Sequence, residues 1–65
     1  MQWEAVFRIA KMAGGQDVWL TASTPFVVWG GRALAIKYES SNDARTALDA
    51  LPPSERDTAI VVIGY

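Results

Sequence analysis

Apolar and polar residues alternate along the start of the chain in the pattern of a β-hairpin. Residues 2–10 place their large apolar side chains at every second position, which is the period of a half-buried strand. Gly14 and Gly15 follow in a predicted loop over residues 12–16, because glycine tolerates the positive φ of tight turns. Residues 17–23 then alternate again, so the pattern predicts two antiparallel strands. The predicted core side of the first strand consists of Trp3, Ala5, Phe7 and Ile9.

The second predicted strand has a large aromatic residue on the side that faces away from the core. Val18, Leu20 and Ala22 fall on the core side, and Trp19 falls on the other. An exposed Trp on a flat sheet is typical of an anchor for another protein. Covering of Trp19 by another strand or a second copy, or a register shift of one residue, would remove that role.

Residues 24–38 fit two structures. Thr24 can cap a helix and Pro25 is tolerated at its first position, and Phe26, Trp29 and Ile36 lie on one helical stripe with Ala33. The alternative is a hairpin of residues 26–29 and 32–38 that turns on Gly30-Gly31. Two glycines inside a helix cost about 1 kcal/mol each relative to alanine. We favour the helix, because residues 32–37 are mostly good helix formers.

A second predicted helix begins near residue 41, with Ser41 or Asn42 as its cap, and ends at Pro52-Pro53. Its apolar stripe consists of Ala44, Ala47, Leu48 and Leu51. Residues 54–57 are predicted as a polar connection. The apolar run within 58–64 shows almost no alternation, which favours a strand covered on both faces or lying at the sheet centre. The prediction is one α+β domain over residues 1–65, a small two-layer sandwich of order ββααβ with two helices on one face of a three-stranded sheet.

Composition narrows the chemistry that the chain can perform. Its 65 residues include no Cys and no His, and 51% are hydrophobic. Disulfides, thiolate metal sites and histidine chemistry are therefore excluded, and we expect no cofactor and no metal. Residues 1–10 lack the pattern of a secretory signal, and no apolar stretch approaches the roughly 20 residues that span a bilayer. We therefore predict a cytoplasmic protein with no membrane contact.

Charge is divided unevenly along the chain. Residues 1–38 have four basic and two acidic residues, whereas residues 39–65 have two basic and five acidic ones. Proteins that bind nucleic acids usually have a clustered basic face, and the sequence shows none. We therefore expect no direct contact with nucleic acid, and a mildly acidic second half.

Candidate catalytic residues lack the arrangement that catalysis requires. Asp43 and Asp49 are six positions apart on a helix and do not share a face, and Glu55 and Asp57 fall in a polar loop where carboxylates stay solvated. The serines and threonines have no His to activate them, and only Lys11, Lys37 or a carboxylate could act as base. The sequence therefore predicts that the protein is not an enzyme.

In size, in the absence of Cys and His, and in its compact α+β pattern, the whole chain resembles small phage-encoded anti-CRISPR proteins that inhibit type I systems. The resemblance implies a non-catalytic inhibitor in the host bacterial cytoplasm that binds a type I CRISPR surveillance complex, a host defence complex, and blocks DNA binding or nuclease recruitment. Its acidic residues could occupy a basic channel while aromatic residues supply contact area. The alternative is a structural or self-associating accessory subunit, so the protein is expected to be a monomer or homodimer. The candidate partner-binding residues are Trp19, Tyr38, Glu39, Asp43, Asp49, Glu55 and Asp57.

Overall fold

A computed structural model describes residues 5–64. Within them the chain forms four strands, two helices and one 3₁₀ turn, and most of the regular structure is sheet. In chain order these are β1 Val6–Ala13, β2 Gln16–Ala22, β3 Val28–Gly30, the 3₁₀ turn Arg32–Leu34, α1 Ser41–Asp49, α2 Pro53–Arg56 and β4 Ala59–Gly64.

The antiparallel hairpin predicted at the start of the chain is confirmed, but the predicted loop over residues 12–16 is wrong. β1 and β2 pair antiparallel, with Ala10 opposite Trp19, and β1 continues as far as Ala13 before the turn. The turn is only two residues long, and Gly14 and Gly15 both have positive φ, at 59° and 81°. Positive φ at both central positions matches the right-handed twist of the strands and disfavours residues with a side chain.

The sheet has four antiparallel strands in the order β3-β2-β1-β4. β1 is one of its two inner strands and pairs with β4 along most of its length, from Val6 opposite Gly64 to Lys11 opposite Ala59. On its other side β1 pairs with β2 only from Ala10 onward, and the gap beyond is filled by the chain around Tyr38, which exchanges both backbone hydrogen bonds with Phe7. A loop segment thus completes the middle of the sheet.

α1 covers one face of this sheet and contributes the buried residues Ala44 and Leu48. Ser40, one residue before the predicted caps, accepts a hydrogen bond from the backbone N–H of Asp43 and fixes the helix start. The predicted apolar stripe packs inward: Leu48 and Leu51 lie against Ile9 and Leu20, both of which are fully buried. The core is therefore a single layer between α1 and the alternate residues of the strands.

The predicted fold, a three-stranded ββααβ sheet with two helices on one face, is wrong. The sheet has four strands, and residues 26–38 form no helix but β3, the 3₁₀ turn and an extended stretch. Gly30 and Gly31 disfavour a helix at its middle, and Val28 and Trp29 are β-formers that pair with β2. The hairpin alternative correctly included a strand in this segment but gave it the wrong partner, because β3 does not pair with the chain that follows it.

Three smaller predictions also differ from the structure. Residues 53–56 form the one-turn helix α2 rather than an irregular connection, with Pro53 at a position where its missing N–H costs nothing. β4 lies at the sheet edge rather than at its centre, and Ile60 and Ile63 are exposed. Phe26, placed on the apolar stripe of the predicted helix, is 76% exposed. The prediction for Trp3 falls outside the described residues.

Candidate protein-binding surface

Neither α-helix packs on the second face of the sheet. Residues that alternate with the core positions of the strands form this surface, and Met12 and Ile60 are exposed on it by 63% and 61%. Trp19 lies on it opposite Ala10, so the predicted orientation of Trp19 away from the core is confirmed. We call this surface the open face, and it consists of Arg8, Ala10, Met12, Trp19, Ile60 and Val62, with Arg32 above them.

Two arginines meet on the open face. The guanidinium carbon of Arg32 lies 5.6 Å from the centre of the Trp19 ring, within cation–π distance. A Cβ placed on Gly64 would lie 3.3 Å from Nη1 of Arg8 and 3.5 Å from Nη2 of Arg32, so the two guanidinium groups converge on one point. A side chain at position 64 would be tight against Arg8 and in ordinary van der Waals contact with Arg32.

Arg8 is the buried member of the pair. It is only 8% exposed, and among residues 5–64 its Nε has no hydrogen-bond partner. Within residues 5–64 no acidic side chain bonds to either arginine. A buried donor without an acceptor lowers the stability of the folded protein, so the presence of an arginine at position 8 requires a physical explanation.

A different charged cluster closes the core on the helix side of the sheet. Nζ of Lys11 lies 2.8 Å from Oε2 of Glu55, and the indole N–H of Trp29 donates to the same oxygen. Lys11 also lies 4.4 Å from the Trp29 ring centre. The Lys11 hydrogen bond, followed by that from Trp29, lowers the pKa of Glu55 below its ordinary value of 4.5, against a smaller opposing effect of burial. Glu55 is therefore charged and already bonded to Lys11 and Trp29. Its role is structural, because these contacts connect α2 to the sheet.

The other acidic candidates are exposed and do not meet. Asp43 is in the first turn of α1 and Asp49 is its last residue, so they occupy opposite ends of the helix. Glu39 precedes α1 and Asp57 follows α2, and both are exposed. Together they give the helix layer a dispersed negative charge, and their role in partner binding stays a prediction.

Tyr38, a predicted partner-binding residue, is not fully exposed. It is half-buried and packs against the core, and burial raises the pKa of its hydroxyl above the usual 10.0. Its ring also lines a depression with Phe7 and Lys37 at one end of the sheet. Its role at a partner surface stays a prediction.

The described residues hold no group of three or more acidic side chains that could bind a metal ion. The groove on the open face between Trp19, Ile60 and Val62 encloses about 260 Å³. That is less than the ~300–1,000 Å³ typical of small-molecule sites. Because this groove is small, the open face suits a broad contact rather than an enclosed ligand.

No helix within residues 5–64 has the length and apolarity needed to cross a membrane.

Comparison with protein-family models, with curated proteins and with solved structures finds no match. The surface must therefore be interpreted from its own residues. Sequence reasoning found Trp19 but missed both arginines. Arg8 could have been found, since the hairpin alternation already placed it on the polar side of the first strand, the same side as Trp19. Arg32 could not, because its segment was assigned to a helix.

Proposed function

We propose that this protein is a non-catalytic protein-binding module that acts through its open face. The observation that supports the proposal is a sheet surface, uncovered by either α-helix, that exposes Met12 and Ile60 around Trp19. Apolar groups gathered on an uncovered sheet are typical of interaction surfaces. The face would be buried when the partner binds.

The residue types on the open face are those of interface centres. Trp, Met and Arg are enriched where proteins meet, and Lys, Glu and Asp are depleted there. The open face contains Trp19, Met12 and two arginines, and Asp17 lines its groove opposite Met12, at the end of the hairpin. Trp19 is held in place by Arg32, so little side-chain freedom is lost when a partner covers it.

The resemblance to anti-CRISPR proteins adds a partner class to the proposal. In this hypothesis the protein works in the bacterial cytoplasm, and the open face contacts a protein subunit of a type I CRISPR surveillance complex. The exposed acidic residues Glu39, Asp43, Asp49 and Asp57 would then face the basic channel where DNA binds. Inhibition would follow from steric and electrostatic exclusion of DNA or of the nuclease, and would need no catalysis.

Paired aromatic variants test the proposal. Trp19→Ala removes the centre of the open face, and Phe26→Ala removes an aromatic that is more exposed but lies on the helix side, next to Leu51 and Pro52. A partner captured from bacterial lysate by the parent and by Phe26→Ala, but at least tenfold less by Trp19→Ala, would support the open face. Equal loss of capture with both variants would indicate nonspecific hydrophobic binding, and equal capture by both variants would refute the proposal.

The CRISPR hypothesis has its own measurement. Purified type I surveillance complex should lose target DNA binding or nuclease recruitment when the parent protein is added, and Trp19→Ala should restore it. Persistence of both activities with a stoichiometric excess of the parent would remove this partner class while leaving the binding module untouched.

A self-associating subunit is the second candidate, and β4 favours it. This edge strand is six residues long and has no charged residue and no proline, which are the features that normally prevent edge-to-edge pairing. Light scattering and melting at several concentrations test it: a dimer whose melting temperature rises with concentration supports self-association. Ile63→Lys should then return the protein to a monomer.

A further inference from the structure

The fold brings Arg8 and Arg32 together, but within residues 5–64 it gives neither guanidinium group a partner of opposite charge. Both guanidinium groups lie within 3.5 Å of the position that a Cβ would take at Gly64, and Arg8 is 8% exposed. Two like charges this close repel each other, and burial of one of them weakens the screening by water. Within residues 5–64 nothing of opposite charge bonds to them.

An anion bound between the two groups would remove this cost. A guanidinium group is a planar fork of N–H donors that matches a carboxylate or phosphate with two parallel hydrogen bonds. Arg32 is oriented by the Trp19 ring and Arg8 by the sheet around it, so the donors are arranged before any ligand arrives. Such preorganisation lowers the entropic cost of binding.

The surroundings favour a protein carboxylate over a nucleic-acid backbone. A nucleic acid is bound by a track of many cations, whereas this site has two, with Val62 opposite Arg8 on β4 and Ile60 two residues away on the same strand. The exposed acidic residues of the helix layer also disfavour a long polyanion. A single carboxylate among apolar neighbours fits both the charge and the apolar surface.

We infer that Arg8 and Arg32 form a carboxylate-binding site, which takes an Asp or Glu of the partner flanked by apolar side chains. This inference rests on the proposed function of the open face and specifies its partner. The carboxylate would accept hydrogen bonds from both guanidinium groups, and the flanking side chains would cover Trp19 on one side and Val62 on the other.

Two capped tripeptides test the chemistry directly. N-acetyl-Leu-Glu-Leu-amide is the probe, and the same peptide with Gln in place of Glu is its neutral control. In NMR titrations of the intact protein, the Glu peptide should shift the Arg8 Nε–H and Trp19 indole N–H signals and saturate in the millimolar range. The Gln peptide should bind at least tenfold more weakly, and equal affinity for the two peptides would overturn the inference.

Variants identify the residues responsible. Arg32→Gln, at an exposed position, and Arg8→Gln should each abolish the preference for Glu over Gln, whereas Arg45→Gln on the exposed side of α1 should retain it. Preference retained in both open-face variants would overturn the site. A ten-residue deoxythymidine oligonucleotide serves as the third ligand, and tighter binding of it at the same signals would overturn the inference in favour of nucleic acid.

The outcome can be separated from that of the proposed function. If Trp19→Ala abolishes partner capture but the two tripeptides bind equally, the open face is the interface and the carboxylate site is refuted. If the Glu peptide is preferred but Trp19→Ala leaves capture unchanged, the anion site is real and the proposed use of the open face is refuted.

Discussion

Replacing Arg8 by methionine should stabilise the isolated protein, although it removes a charged residue from a sheet. Arg8 is 8% exposed, and its Nε has no hydrogen-bond partner in the part of the chain that the structure describes. Methionine is flexible and can occupy the space of the arginine stem without bringing a hydrogen-bond donor. The change therefore removes an unsatisfied donor while it retains most of the apolar contact.

The size of the gain follows from two contributions. An unsatisfied buried donor costs about 1–3 kcal/mol, and exchange of a buried charged group for an apolar one of similar volume is often neutral or stabilising. Relief of repulsion from Arg32 adds less, because Arg32 is exposed and water screens it. Allowing for imperfect packing of methionine, we expect a net gain of about 1–2 kcal/mol, or roughly 4–15 °C in melting temperature for a domain of this size.

Thermal unfolding followed by circular dichroism at pH 7 measures the difference, and urea unfolding checks that the m-value stays the same. Arg45→Met is the matched control, since Arg45 is exposed on α1 and its replacement should change stability by less than about 0.5 kcal/mol. A fall of several degrees for Arg8→Met alone would show that the guanidinium group has a stabilising partner in the free protein. The view that Arg8 is maintained for binding would then be refuted.

Three further predictions concern the helix layer. Ser40→Ala removes the cap of α1 and should cost about 1 kcal/mol, seen as a melting temperature lower by roughly 4–8 °C; an unchanged value would contradict the cap. Asp43→Lys should destabilise and Asp49→Lys stabilise, each by about 0.3–1 kcal/mol in low salt, since they lie at opposite ends of the helix dipole; shifts of the same sign would contradict this. Glu55→Gln should lower the melting temperature at pH 7, and the difference should shrink in acid; a constant difference between pH 7 and pH 3 would exclude the ion pair as its cause.

The direction of the Glu55 effect follows from proton linkage. Lys11 and Trp29 hold the folded-state pKa of this carboxyl below its ordinary value of 4.5, so the unfolded chain takes up protons first as the pH falls. The stabilisation is fully present above pH 4.5 and is lost as the pH falls through the lowered folded value. The amide of Gln in the variant does not titrate. The melting temperatures of the parent and the variant should therefore converge at pH values below the folded-state pKa of Glu55.

Local patterns predicted the parts of the fold that depend on neighbours in sequence. The alternation around Phe7 and Ile9, and the two glycines at the turn, fix a hairpin whatever else the chain does. The stripe ending in Leu48 and Leu51 likewise requires one buried helix face. These elements were confirmed because periodicity and turn chemistry agree there.

The segment at residues 26–38 could not be predicted in the same way, because its conformation depends on distant partners. Ile36 donates its N–H to the carbonyl of Leu20, and Tyr38 pairs with Phe7, at the place where β1 and β2 separate. Helix propensity at residues 32–37 is a fraction of a kcal/mol per residue, and a vacant sheet position outweighs it. For a similar reason the apolar run of β4 indicated a central strand, although an edge strand of a small sheet can expose Ile60 and Ile63.

The separation of β1 and β2 also explains why two arginines lie together on the open face. The chain must leave β3 at Gly30 and return to fill the gap beside Phe7, and this path carries Arg32 over Trp19. β4, on the other side of β1, ends at Gly64, where the missing side chain leaves space for both guanidinium groups. A loop needed to complete the sheet thus also places the second arginine beside the first, so a change that frees residues 36–38 from β1 should lose the preference for a carboxylate even with Arg8, Trp19 and Arg32 all retained.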